Sequence, residues 1–179
     1  VSLVAHRMLR GFAPVYRKDA RVLLLGSMPG QASLVAGQYY AHPRNAFWPI
    51  MGELFEAGPA LPYAARLERL LHAGVALWDV IGSCQRDGSL DSAIESNSIE
   101  ANDLQALFEA CPCLNHVFFN GTAAENAFRR HVGLSGTSRP MHFQRLPSTS
   151  PAHAALTFSA KLAAWQAVRM AAHTTDCAA

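Results

Sequence analysis

The feature that most constrains this chain is a short apolar run that stops at a glycine, Arg21-Val-Leu-Leu-Leu-Gly26, and then recurs. Val75-Ala-Leu-Trp-Asp-Val-Ile81 and His116-Val-Phe-Phe-Asn-Gly121 are of the same kind. A run too short for a helix and apolar throughout fits a strand covered on both faces, which is the situation inside a parallel sheet. Met141-His-Phe-Gln-Arg-Leu146 alternates instead and suits a strand nearer an edge. Between the runs the apolar residues take helical spacing: Phe47, Met51, Leu54 and Phe55, then Leu67, Leu70 and Leu71 closed by Gly74, then Leu104, Leu107 and Phe108. Residues 122–131 and 158–172 continue it, the last with Leu162, Trp165, Val168 and Arg169 along one helix. Strands alternating with helices predict an α/β fold, a three-layer sandwich in which a four-stranded parallel sheet is flanked by helices.

With 179 residues and 50% hydrophobic content, one core is the expectation, hence a single domain over 1–179 with 1–10 and 174–179 as loose ends. No apolar run reaches the length of about 18 residues needed to span a bilayer. The first residues carry His6, Arg7 and Arg10 without the apolar centre of a signal peptide, so cytoplasmic residence and no membrane partner are expected, with the chain a monomer. A net charge of +2 and a pI near 8.5 are too mild to announce a polyanion partner. Arg44, Arg139 and Arg145 do recur near the loops of interest. The four cysteines are scattered, and Cys111 and Cys113 stand closer together than zinc ligands do. They are expected to be buried thiols, neither metal ligands nor disulfides.

Open α/β sheets bind ligands beyond the carboxyl ends of their strands. Two of the loops there are unusual. Gly26-Ser-Met-Pro-Gly30 leads to Gln38-Tyr-Tyr-Ala-His-Pro-Arg-Asn-Ala-Phe-Trp48, and Leu146 is followed by Pro-Ser-Thr-Ser-Pro-Ala-His153. In the first, Gly30 and Pro43 suit turns, Asn45 suits a helix cap, and Phe47 and Trp48 suit the core. Yet a glycine-bounded turn, flat aromatics and an amide are also the parts that hold an extruded nucleobase by stacking and edge hydrogen bonds. Asp79 either stabilises the turn beside Gly82 and Ser83 or reads a base edge, and Asn120 either clamps a loop or belongs to the site.

Taken together these segments resemble the uracil-DNA glycosylase superfamily, and within it the hypoxanthine (deoxyinosine) DNA glycosylases, with similarity also to the mismatch-specific uracil enzymes. The resemblance runs from about Gly11 to the last helix. It implies base excision repair of duplex DNA by hydrolysis of the N-glycosidic bond of a flipped, deaminated base, with no metal and no cofactor. It implies Gly26, Ser27, Met28 and Phe47 around the base, Tyr40 stacked on it, and Asp79 and Asn120 at its edge. His42, Arg44, Ser148, Thr149 and Ser150 are implied on the DNA, with Ala152 and His153 entering the space the base vacates. Met28 stands where uracil-cleaving relatives carry a polar group, and Ser148 where several carry histidine or asparagine. The catalytic part is therefore implied for Asn45, as in the hypoxanthine enzymes, acting on the water or on the base.

Other classes fit less well. Neither G-x-G-x-x-G nor a P-loop occurs, and Pro29 removes a backbone donor from any phosphate cradle. Ser27 and Ser150 lack the nucleophile elbow of serine hydrolases. A uracil enzyme acting on G:U mismatches and a non-catalytic reader of damaged DNA stand as the alternatives.

Overall fold

The structure is a computed structural model that describes residues 8–133, 139–174 and 177. The chain opens with β1 (Met8–Arg10) and β2 (Val22–Gly26), then three helices, α1 (Gln31–Ala36), α2 (Phe47–Phe55) and α3 (Tyr63–His72). Strands β3 (Val75–Asp79), β4 (Ile81–Gln85) and β5 (Glu100–Ala101) precede α4 (Leu104–Ala110). The remainder alternates: β6 (His116–Asn120), α5 (Thr122–His131), β7 (His142–Leu146) and α6 (Phe158–Ala172). Two helix starts follow from local chemistry, since Asp103 accepts from the Ala106 N–H ahead of α4 and Thr157 from the Ala160 N–H ahead of α6.

β3, β2, β6 and β7 lie side by side in that order, all parallel. The period of two along each strand builds the layers. Val22, Leu24, Val75, Leu77, Phe118 and Leu146 pack against α2, α3 and α6. Leu23, Leu25, Ala76, Trp78, Val117 and Phe119 pack on the other face against α4 and α5. This is the three-layer α/β sandwich that the continuous apolar runs require. Register places Gly26 opposite Asp79 and Asn120 opposite Leu146, so the strand ends emerge along one edge.

Several expectations need correction. The run Val75–Ile81 is two elements: the Val80 and Ile81 amides turn to donate to the Gly26 and Ser27 carbonyls, and β4 departs into a small antiparallel sheet with β1 and β5. An unbroken apolar run carries no mark of that turn. Met8–Arg10, expected loose, pairs with β4, whereas residues 1–7 lie outside the described residues. At the other end Thr174 still bonds to Ala171, and 175, 176, 178 and 179 lie outside the described residues. Cys113 and Cys177 form a disulfide across 64 residues, contrary to the expectation of free thiols, which holds for the buried Cys84 and Cys111. Arg139 does not serve a strand-end loop either: it donates to the Phe108, Cys111 and Leu114 carbonyls at the end of α4. Among the described residues no helix is long and apolar enough to cross a membrane.

Candidate active site at the strand ends

Beyond the carboxyl ends of the parallel strands lies a cavity of about 150 Å³. A cavity of roughly 150 Å³ holds a ring the size of benzene, so a nucleobase would fill this one and extend toward its mouth. The Gly26–Gly30 turn, Tyr40, His42, Asn45, Asp79, Asn120 and Ser148–Ser150 all line it. Segments from near opposite ends of the chain thus converge, as the level strand ends demand. Phe47, Arg44, Ala152 and His153 are placed elsewhere. Phe47 is fully buried behind Tyr40, so it backs that ring and does not itself meet a base, while the other three are exposed outside the cavity.

Tyr40 is the strained element. Its φ of 54° lies in the left-handed region, a conformation that costs a bulky residue roughly 1 to 3 kcal/mol and persists only where neighbours enforce it. They do so here. The Tyr39 amide donates to the Tyr63 hydroxyl, the Tyr39 carbonyl accepts from the Trp48 indole, and the Ala41 amide donates to Ser33 Oγ. The Tyr40 ring then stacks on Phe47 at 3.9 Å between centroids and 20° between planes. One aromatic face is covered by protein, and the residue lines the cavity.

Asn45 does two things at once. Its Oδ1 accepts from the Phe47 N–H at 2.9 Å, closing the entry to α2. Among the described residues nothing engages its Nδ2, which leaves two donor hydrogens on a residue of the cavity wall. Met28 is 6% exposed, and its side chain packs with Ile81 and Cys84.

Asp79 ends β3 and is 3% exposed. Among the described residues no well-formed hydrogen bond engages its Oδ2 or the Tyr40 hydroxyl, both buried polar atoms. Both press on Gly26, where a methyl group would overlap the Asp79 carboxylate and stand 3.2 Å from the Tyr40 hydroxyl. Only glycine fits between them. An orphaned buried polar atom costs about 1 to 3 kcal/mol, which a ligand with the matching group recovers. Burial pushes the Asp79 carboxyl up to about 7; Asp91 adds to the rise and the Arg86 guanidinium opposes it. Burial also raises the Tyr40 phenol, which therefore keeps its proton at neutral pH.

The loop after β7 is stitched to β6. Asn120 donates from Nδ2 to Thr149 Oγ1 and accepts at Oδ1 from the Thr149 amide, both at 2.9 Å, so the amide clamps that loop and keeps one Nδ2 hydrogen beside Tyr40. Gly121, with φ of 92°, lets Ser148 approach to where a Cβ would be 2.8 Å away. Ser148 and Ser150 accept from the Ser150 and Ala152 amides, which leaves their own hydrogens to donate outward. Lys161 anchors the far side at the His153 carbonyl. Arg145 is drawn onto Glu125 at 3.0 Å.

Sequence reasoning missed the segment after β4. Arg86, 6% exposed, donates to the Pro29 and Gly88 carbonyls; Ser89 Oγ accepts from the Gln31 amide; and Ser27 Oγ donates to Asp91 Oδ1 at 2.6 Å. Ser89 and Asp91 thereby join the cavity wall. Asp87-Gly88 marks a turn in the sequence, but nothing local marks Arg86 as buried or identifies its partner loop.

The arrangement offers an aromatic face, a floor carboxyl, an uncommitted amide and a hydroxyl-lined rim, which suits a flat heterocycle attached to a phosphorylated chain. Comparison with known proteins points the same way. The sequence model of the uracil DNA glycosylase superfamily matches residues 13–169. Two proteins named hypoxanthine DNA glycosylase are each 38% identical to the chain. The one from Methanosarcina barkeri aligns over 113 residues, 63% of this chain and 70% of its own. The one from Methanosarcina acetivorans aligns over 116 residues, 64% of this chain and 72% of its own. The solution NMR structure of a candidate uracil DNA glycosylase from Methanosarcina acetivorans superposes with a TM-score of 0.74 at 31% identity, covering 94% of this chain and 100% of that one.

Proposed function

The chain belongs to the uracil DNA glycosylase superfamily and is a DNA glycosylase, and from that premise we propose that it releases hypoxanthine from deoxyinosine in duplex DNA. The observation that carries the reading is the unpartnered Asp79 Oδ2 in the cavity. An ionised carboxylate only accepts hydrogen bonds, and the deaminated base presents a donor, N1–H, where adenine presents a bare acceptor. The identity to the two proteins named for hypoxanthine supports the same choice.

In this reading the base rotates out of the stack onto the uncovered face of Tyr40 and turns its edge to Asp79. Asn45 uses its Nδ2 hydrogens on the departing base, because its Oδ1 is held by Phe47. Ser148 and Ser150 donate to phosphates, Thr149, buried and bonded to Asn120, holds their loop in place and does not reach the DNA, and His42 and Arg44 would meet the flanking backbone. Ala152 and His153, exposed at the loop tip, enter the vacated space.

The test is base release from duplexes carrying deoxyinosine, uracil or xanthine, read as alkali-sensitive sites across pH 5.5 to 8.5. Deoxyinosine should be processed fastest. Its single-turnover rate should fall toward acid as Asp79 protonates below about 7, approaching tenfold per unit, because protonation removes the charge that makes the carboxylate a strong acceptor for N1–H. Asp79→Asn keeps an acceptor that does not titrate, so its profile should lose the step near 7. No release from any of the three duplexes would overturn the proposal. Uracil offers the same donor at N3, so faster uracil release would change the substrate while leaving the Asp79 role intact.

A further inference from the structure

Hydrolysis of the glycosidic bond needs, besides a place for the base, a group that holds water against the anomeric carbon and opposes the positive charge that develops on the sugar. Opposing a cation calls for a carboxylate, and among the residues that line the cavity Asp79 and Asp91 carry one. Met28 has no such group. Asn45 Oδ1 already accepts from Phe47, and Asn120 Oδ1 already accepts from Thr149. His42 Nδ1 accepts from the Arg44 amide, so a neutral imidazole carries its proton on Nε2 and presents a donor to the cavity. The Tyr39 hydroxyl donates to the Ala13 carbonyl. Asp79 is sealed at the floor, on the base side.

Asp91 is different. It sits on an exposed turn that lines the cavity, and Ser27 fixes one carboxylate oxygen at 2.6 Å. Among the described residues no hydrogen bond engages the other oxygen. Ser27 neighbours Met28, so this carboxylate is delivered to the wall beside the inert residue by a segment 64 positions away. Arg86 and Ser89 tie the same segment down independently, so its placement does not depend on the Ser27 bond alone.

We propose that Asp91 is a catalytic residue, the carboxylate that orients the attacking water and faces the cationic sugar while Asp79 and Tyr40 hold the base. The proposal rests on the glycosylase reading. The bond from C1′ to the base nitrogen breaks with its electron pair leaving on the base. The water oxygen bonds to C1′, one water proton passes to the free oxygen of Asp91 and on to solvent, and the expelled base takes a proton from solvent. Desolvation raises the Asp91 carboxyl, with Ser27 and Arg86 opposing the rise, which makes it a better proton acceptor than a fully solvated carboxylate.

The experiment compares Asp91→Asn and Asp91→Ala with the parent in single-turnover cleavage of a deoxyinosine duplex, with and without added sodium formate. The asparagine retains an acceptor for Ser27 and removes only the charge. Both variants should cleave roughly 100-fold to 1000-fold more slowly, and formate should restore the alanine variant at least about tenfold by entering the space left. An Asp91→Asn rate within about threefold of the parent would show that the residue merely anchors its turn, and the proposal falls. Slow variants with no response to formate overturn it equally. A parent that fails to cleave deoxyinosine indicts the substrate reading instead, and the same comparison then moves to whichever base the parent does release.

Discussion

The two walls of the cavity are built by different means. One wall joins Asn120 and the loop after β7, which hang directly on strand ends, to Tyr40 and Asn45 from the connection between α1 and α2, and it is stitched by side chains that mimic backbone, such as the double bond between Asn120 and Thr149. The opposite wall, residues 86–91, is reached through the small antiparallel sheet and held to the Gly26–Gly30 turn by Arg86, Ser89 and Asp91. The first wall is fixed by the same geometry that fixes the fold. The second is fixed by a handful of polar contacts and carries the charge that tunes the site, since Arg86 and Asp91 bear in opposite senses on Asp79.

On the first wall the largest effect is expected at Asn45, matching that at Asp91 on the second. Asn45→Ala removes both the donor facing the cavity and the acceptor for Phe47, so it should slow single-turnover cleavage roughly 100-fold to 1000-fold and lower stability by about 1 kcal/mol. Asn45→Asp separates the two, because it keeps the acceptor and loses the donor. Its rate should fall nearly as far while its melting temperature stays near the parent's, and a fast aspartate variant would reduce Asn45 to a cap.

A smaller effect tests the contrast between the walls. Arg86→Ala should slow cleavage about tenfold and speed proteolysis within 86–99, while Asn120→Ala loosens 147–153 instead. Arg86→Ala should also move the midpoint of the pH profile upward, because the lost guanidinium was favouring ionised Asp79. Asn120→Ala should leave that midpoint in place. If both variants shift it alike, the two walls do not differ electrostatically as argued.

The smallest effect on activity comes from the far end. Reducing the Cys113–Cys177 disulfide, which closes 64 residues, should remove about 2 to 4 kcal/mol of stability and lower the melting temperature by roughly 2 to 4 °C per kcal/mol. Cys113 precedes the start of β6, at the opposite end of the strands from the cavity, so cleavage at 25 °C should be unchanged. A large loss of rate on reduction would show that the two ends of the sheet are coupled.

What could be read in advance follows the same division. Gly26, Asp79, Asn120 and Ser148 were legible as loop residues at strand ends because the strands announce themselves. Tyr40 and Asn45 were legible through the resemblance their segment carries. Phe47 was misplaced by one layer, since adjacency in sequence does not say which ring covers which. Asp91 was invisible: an aspartate in a polar stretch has no local signature of a partner.

By itself the sequence determined the sheet, because Val22 to Leu25, Val75 to Trp78 and Val117 to Phe119 are apolar at every position and can be satisfied only with a layer on each face. That requirement is local and independent of what the rest of the chain does. The turn at Val80, the small sheet, the disulfide and the pairing of Ser27 with Asp91 were decided by the tertiary structure alone. Each is a contact between groups far apart in the chain, and short-range polar bonds exist only once hydrophobic layering has set the distance between their carriers to within a few tenths of an ångström.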